Sequence, residues 1–455
     1  MRDGEYFPLT PALSPSEGER ENHSPAIGML CGGRGRQRFE SIRDGRLLFP
    51  LPEGEGQGEG ERVTRRDLDQ FMNFEFATAT RIVFGAGKVR ELGSLVRGFG
   101  SRALVVTGKP PGRADKLIAL LNAGGISSTV FPVPGEPTIA LVEQGMAAAT
   151  SASCEFVIAI GGGSVIDAGK AIAAMLPNDG ALLNYLEVIG RGRALVKPSV
   201  PFIAIPTTAG TGAEVTRNAV LSSAEHRVKV SLRSPLMLPT LALVDPELTY
   251  DLPPALTAST GLDALTQLIE PFTCNRANPM TDAFCREGII RAARSLRVLF
   301  AEGQNGTARE DMALASLLGG LALANAGLGA AHGFAAPIGG MFPAPHGAVC
   351  AALLPHVMAT NIRALRERAP TSEALNRYAA VARLVTGNEV AKADDGVRWV
   401  AELVRDLKIP GLGAYGVSRE HAGDLVAKAA QASSMKANPV QLTPEELAAV
   451  LEAAL

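Results

Sequence analysis

The chain has 455 residues, of which 46% are hydrophobic, 20% charged and 5% aromatic, a length that predicts two domains and a composition that excludes fibrous and wholly disordered classes. Lys and Arg number 44 against 46 Asp and Glu, a formal charge of −2, so no electrostatic reason exists to expect nucleic acid or an anionic membrane as partner. No uninterrupted apolar run approaches the roughly 20 residues that span a bilayer. The five cysteines (Cys31, Cys154, Cys274, Cys285, Cys350) are scattered and form no CxxC, so neither a disulfide framework nor a thiolate zinc site is expected and a reducing cytoplasm is.

Residues 1–71 differ from the rest. Their basic residues are all arginine, the first lysine being Lys88, and they carry the Gly/Glu run from Pro52 to Glu61. Such a stretch buries too little apolar surface to offset ordering, so a disordered tail is the plain expectation. A second reading comes from the genetic code: Leu9 to Ser14 and Gly54 to Glu59 can be written as reverse-complement codons, with only Pro11 against Gln57 needing a base change. On that reading 1–71 is a translated inverted repeat and the native start is Met72, which N-terminal sequencing of the native protein checks.

From Met72 strands and helices alternate. Arg102 to Gly108 is a β-branched run ending in glycine, followed by a helix over Ala114 to Ala123 that Gly124 and Gly125 close. A strand (Ser127 to Val133), a helix (Thr138 to Ser151) and a strand (Phe156 to Ile160) come next, with further strands at Phe202 to Ile205 and Leu241 to Val244. Alternation of this kind predicts an α/β domain over 72–252, a parallel sheet with helices on both faces. After Leu252-Pro253-Pro254 the sequence turns to long Ala/Leu-rich segments, which predicts an all-helical domain over 253–455.

Two loops carry the ligand signal. Gly161-Gly162-Gly163-Ser164 stands between a strand and a helix, where glycines admit positive φ or close approach and a helix N-terminus offers N–H groups to phosphate. Ile166 occupies the place of the third glycine of the usual dinucleotide fingerprint, so the loop points to pyrophosphate without that signature. The bland alternative is that Ser164 and Asp167 form a capping box. Pro206 to Thr216 is a second Thr/Gly loop after a buried strand, suited to polar contacts with phosphate or ribose, though equally an ordinary turn.

Six histidines occur, of which His332 and His346 both precede glycine. Asp263 and Gln267 are four apart on one helical face, with Glu270 near that face one turn on. A carboxylate and imidazoles converging would hold a divalent cation, Fe²⁺ or Zn²⁺, while an isolated histidine is more often a packed residue.

Taken together, Gly161 to Ser164 with Asp167 and Lys170, Pro206 to Glu214, Val244 to Leu248, Gly261 to Glu270, His332 through Gly347, and Asn438-Pro439 before a Thr443–Glu446 capping box resemble the iron-containing (group III) alcohol dehydrogenase family. The resemblance implies an N-terminal domain for NAD or NADP, a helical C-terminal domain, and a metal in the cleft between them. Residue by residue, it implies that Gly162, Gly163 and Ser164 cradle the pyrophosphate. Thr207, Thr208 and Thr211 would line the dinucleotide, and Lys229 would lie near its ribose or phosphates. Asp263, His332 and His346 match three of the family's four metal ligands; the fourth is usually His and here is Gln267. A further His that many members carry, proposed to relay protons, is here Ala336.

The expected activity is hydride transfer between a nicotinamide and a small alcohol, aldehyde or ketone, by a cytoplasmic homodimer. Gly108 stands where many relatives have an Asp that selects against a 2′-phosphate, and Lys109 and Arg113 are near, which leans to tolerance of NADP. Within the same fold, the alternatives are a reductase of an oxo- or unsaturated acid resembling maleylacetate reductase and a lyase resembling 3-dehydroquinate synthase. The latter would want more basic residues near Asp263. A non-catalytic dinucleotide- or metal-binding relative is the remaining alternative. The pair Asp167 and Lys170, one turn apart, is read as structural.

Overall fold

A computed structural model describes residues 73–109, 114–223, 225–226 and 228–455. The expectations for 1–71 and for Arg113 lie outside the described residues.

Six parallel strands form the main sheet among the described residues: β1 (Arg81–Phe84), β2 (Arg102–Thr107), β3 (Ser127–Pro132), β4 (Phe156–Gly161), β5 (Phe202–Pro206) and β8 (Leu241–Val244), in the order β1-β8-β5-β4-β2-β3. Between β5 and β8 the chain makes an antiparallel hairpin, β6 (Asn218–Ser223) with β7 (Val228–Arg233). The central strands β4 and β5 are buried along their whole length, as their unbroken Val/Ile/Ala runs require of strands covered on both faces.

Alternate residues serve opposite faces. Leu104, Val106, Val157, Ala159, Phe202 and Ala204 pack under α3 (Ile139–Ser151) and α4 (Gly163–Met175). Val105, Ile158, Ile160, Ile203, Ile205 and Leu243 pack on the other side with α1 (Leu92–Leu95) and α2 (Asp115–Ala123). Helices on both faces were expected, and the observed ends lie within one residue of those read from the sequence. Two features were not anticipated. The edge strand β1 is four residues that pair with β8, some 160 positions later, so nothing local announces it. The β6–β7 hairpin, which carries Lys229, lies in a stretch to which the sequence assigns no element.

Helices follow from Pro254: α5 (Pro254–Thr273), α6 (Pro279–Ala301), α7 (Gly306–Asn325), α8 (Ala330–Met341), α9 (His346–Arg368), α10 (Glu373–Thr386), α11 (Ala393–Asp406), α12 (Ala422–Gln431) and α13 (Pro444–Ala453). Thr443 caps α13 through the reciprocal bonds with Glu446 that its spacing predicts. The core of this half is not sealed from the sheet: Ala242 and Val244 of β8 belong to the same apolar cluster as Leu262, Leu265 and Ile269 of α5. Met72–Leu455 accordingly forms one unit. Helix α9 has the length and hydropathy of a bilayer span, yet 83% of its apolar window is buried inside the protein. Its apolar character is that of a core helix.

Candidate metal and dinucleotide site

The two ligand loops lie side by side because their strands do: β4 and β5 are in register, with Gly161 opposite Pro206. The glycines are there for close approach. Gly161, Gly162 and Gly163 all have negative φ, contrary to the positive φ allowed for in the sequence. A Cβ on Gly163 would stand 2.9 Å from the Thr211 side chain, one on Gly162 3.4 Å from Thr208, and one on Gly161 2.6 Å from Val165. The loops therefore touch through their smallest residues. Gly212 does adopt positive φ (58°), where its Cβ would collide with the backbone of Gly320 in α7. That contact brings the second loop against the helical half.

The capping-box reading of Ser164 and Asp167 is corrected. The N-cap of α4 is Gly162, with no side-chain cap, and the Asp167 carboxylate instead accepts the Val220 N–H of β6 at 3.0 Å. With no side-chain cap, the first N–H groups of α4 stay available, the arrangement that suits phosphate. Lys170 is fully buried and donates all three protons, to the Ala213 carbonyl (2.7 Å), Thr216 Oγ1 (2.9 Å) and the Asn218 carbonyl (2.8 Å). Its ion pair with Asp167 is long, at 3.9 Å, so the lysine is structural chiefly through those carbonyls. It locks the second loop to α4. Lys229 extends beside Glu136 (3.2 Å) and over Gly339 of α8, at the boundary of the sheet and helical halves.

Three of the four metal residues read from the sequence meet. Asp263 Oδ1 lies 3.5 Å from His332 Nε2 and 3.6 Å from His346 Nε2. Each residue comes from a different helix. Asp263 sits within buried α5, His332 on the first turn of α8, and His346 opens α9. Cys350, one turn along α9 from His346, joins them with its Sγ 3.7 Å from His346 Nε2, and the four donor atoms all lie within 4.8 Å of one another. The absence of a CxxC argues against a thiolate site from sequence; the spacing that matters is His346 to Cys350 at i,i+4.

Gln267 follows Asp263 by one turn; its Nε2 donates to the Gly210 carbonyl at 3.0 Å, a bond that leaves Oε1 uncommitted. Glu270 is not at the convergence. It stands behind His332, accepting from Nδ1 at 2.6 Å while its other oxygen accepts the Ala331 N–H at 2.8 Å. The start of α8 is further pinned by Asn438, whose Oδ1 accepts the Ala330 N–H and whose amide pairs with Asn361 of α9.

Two atoms at the centre lack any hydrogen-bond partner although they are buried: Asp263 Oδ1 and His332 Nε2. Separations of 3.5–3.6 Å are too long for good hydrogen bonds. Orphaned buried acceptors are costly, and a shared cation satisfies both at once. Charge agrees. Burial works against protonating His346, yet the Cys350 sulfur and the Asp263 carboxylate beside it hold its pKa up at about 9. His332 is likewise raised well above its usual value, against burial, by Cys350 and Glu270. For Asp263 burial would raise the pKa, but the two imidazoles outweigh it and keep the carboxyl below its ordinary range. A pocket that draws protons onto its imidazoles is a pocket that favours positive charge. One carboxylate, two imidazoles and a thiol are a donor set that fits Zn²⁺ or Fe²⁺.

Family comparison agrees with this geometry. Residues 79–246 match the model of the iron-containing alcohol dehydrogenases and residues 257–455 match its C-terminal counterpart. The chain belongs to the iron-containing alcohol dehydrogenase family. It is 35% identical to choline dehydrogenase of Bacillus subtilis (strain 168) over 380 residues, 82% of this chain and 93% of that protein. It is 34% identical to 1,3-propanediol dehydrogenase of Klebsiella pneumoniae, over 84% of this chain and 98% of the relative. The crystal structure of a 1,3-propanediol oxidoreductase superposes with a TM-score of 0.78 at 34% identity, covering 84% of this chain and all of that one. Sulfoacetaldehyde reductase from Bifidobacterium kashiwanohense, solved with NAD⁺, gives 0.75 at 30% identity, covering 84% and 99%. Among the metal-site and proton-relay residues that the resemblance implies, Gln267 and Ala336 are where this chain differs. Ala336 lies one turn after His332 on α8, so a histidine there would have faced the same side.

Proposed function

We propose that this protein is a metal-dependent, NAD(P)-linked oxidoreductase that interconverts a small primary alcohol and its aldehyde. The observation that carries the reading is the pair of buried, unpartnered atoms, Asp263 Oδ1 and His332 Nε2, in the cluster they form with His346 and Cys350. When bound, the cation supplies Lewis acidity toward a substrate oxygen and the nicotinamide supplies the hydride site. The chain supplies the rest. Asp263 and His332, both nearly inaccessible, present donors from rigid helices, and Glu270 fixes the His332 tautomer so that Nε2 carries the free lone pair. His346 keeps 38% of its side-chain surface exposed, so the cluster opens toward solvent on that side and gives a substrate its approach. Gly162, Gly163 and Ser164 would receive the pyrophosphate at the start of α4, with Thr207, Thr208 and Thr211 opposite and Lys229 toward the ribose or phosphates.

Relatives named for 1,3-propanediol, methanol and long-chain alcohols support an alcohol substrate, with the chain length open to assay. A homodimer in a reducing cytoplasm completes the proposal. Initial rates of NAD⁺ and NADP⁺ reduction over a panel of diols and primary alcohols, with Asp263→Ala alongside, test it. Reduction by at least one alcohol and its loss in the variant are expected. Failure of every alcohol forward and every aldehyde in reverse would overturn the assignment. The glycine at 108, which closes β2 beside the β4 loop, predicts measurable turnover with NADP⁺ as well as NAD⁺, and strict use of NAD⁺ would reject that part.

A further inference from the structure

The fourth metal position lacks the histidine that the family resemblance implies, Gln267 standing there instead. We propose that Cys350 fills that position as a thiolate, with Asp263, His332 and His346, while Gln267 serves to hold the second ligand loop. The proposal rests on the metal-centre reading and sharpens it. Four donors about 2.0–2.3 Å from one ion in a tetrahedron stand about 3.3–3.7 Å from one another. Three of the six separations are 3.5, 3.6 and 3.7 Å, the last involving sulfur, the donor with the longest bond, and all six lie within 4.8 Å. Cys350 is fully buried on the same helix face as His346, and two of its neighbours are the unpartnered Asp263 Oδ1 and His332 Nε2. Cys350 and Cys285 both sit in apolar clusters, but only Cys350 also has the donor atoms of Asp263, His332 and His346 within 4.8 Å of its sulfur.

Gln267 has a different task. Its Nε2 faces the Gly210 carbonyl; turning the amide over would set two oxygens against each other. That bond ties α5 to the loop of Thr207, Thr208 and Thr211, coupling the metal helix to the dinucleotide edge.

The consequence is chemical. Thiolate and carboxylate together neutralise a divalent ion, where a third imidazole would leave one net positive charge. A softer donor also shifts preference toward Zn²⁺ and away from harder ions. Coordination by sulfur releases a proton if the thiol is protonated beforehand.

Anaerobic titration of the metal-free, reduced protein with Co²⁺ tests this by spectroscopy. A thiolate ligand gives an intense near-ultraviolet charge-transfer band alongside the visible ligand-field bands. The wild type is expected to show it, and Cys350→Ser to bind Co²⁺ without it. Zn²⁺ affinity in Cys350→Ser should fall by more than the roughly 10–100-fold that losing an outer-shell partner costs. Gln267→Ala should keep the band. Stoichiometric Co²⁺ binding by the wild type with ligand-field bands alone would overturn thiolate ligation while leaving the metal centre standing. Loss of the band in Gln267→Ala with Cys350 intact would also overturn it. If the wild type binds no Co²⁺ or Zn²⁺ at all, the metal-centre reading itself fails.

Discussion

Glu270→Gln isolates the contribution of the residue behind the metal site. In the native protein both Glu270 oxygens are used, one by the Ala331 N–H at 2.8 Å and one by His332 Nδ1 at 2.6 Å, and the side chain is 5% exposed. A glutamine of the same shape has one acceptor oxygen and one donor group. Either the Ala331 N–H or the His332 Nδ1–H then faces an amide NH₂, and leaving one buried donor unpaired costs about 1–3 kcal/mol. The imidazole can escape by moving its proton to Nε2, where it accepts from the new amide through Nδ1. That tautomer closes the lone pair aimed at Asp263. Metal affinity should therefore fall about 10–100-fold, the usual effect of removing such a partner. Competition for Zn²⁺ against a chromophoric chelator measures the loss, and the thermal unfolding curve of the metal-free variant reports whether the fold is kept. A folded Glu270→Gln that holds zinc as tightly as the wild type would refute the claim that Glu270 sets the tautomer.

Other outcomes follow from the same geometry. Burial pushes Glu214 in the second loop up from its ordinary 4.5 to about 7. Between those values the folded chain keeps a proton that the unfolded chain has released, so the residue destabilises the fold increasingly as pH rises through that window. Glu214→Gln should match wild-type stability below pH 4.5 and exceed it by about 3 kcal/mol above pH 7, as the shift implies. Urea unfolding across pH reads this, and a gap independent of pH would count against it. Gly163→Ala forces the two ligand loops apart where its Cβ would meet Thr211 at 2.9 Å. About 1.4 kcal/mol of misfit raises the NAD(P)⁺ dissociation constant about tenfold. Cofactor fluorescence titration checks it, with zinc affinity expected to be unchanged; an unaltered cofactor Kd would mean the loops do not form that site.

The parallel sheet was legible because its inner strands are short, wholly apolar runs bounded by glycine or proline, a local signal. The glycine loop was legible as a loop; that its glycines also pack against Thr208, Thr211 and Val165 depends on contacts made only in the fold. Asp263, His332 and His346 could be named, since few histidines occur and two precede glycine. Glu270 was seen as near the metal face, yet its place behind His332 depends on how α8 crosses α5. Cys350 was missed because cysteine was searched for in pairs, whereas here it pairs with a histidine one turn away. Asp167 looked like a cap to α4 until β6 supplied the Val220 N–H that claims it.

The most direct test of the account is to strip the protein of metal, then follow NAD(P)H formation on a turned-over alcohol while adding Zn²⁺ or Fe²⁺ stepwise. The rate should start near zero, climb in proportion to added ion and level off at one ion per chain. Full turnover by the metal-free protein, indifferent to added ion, would contradict it.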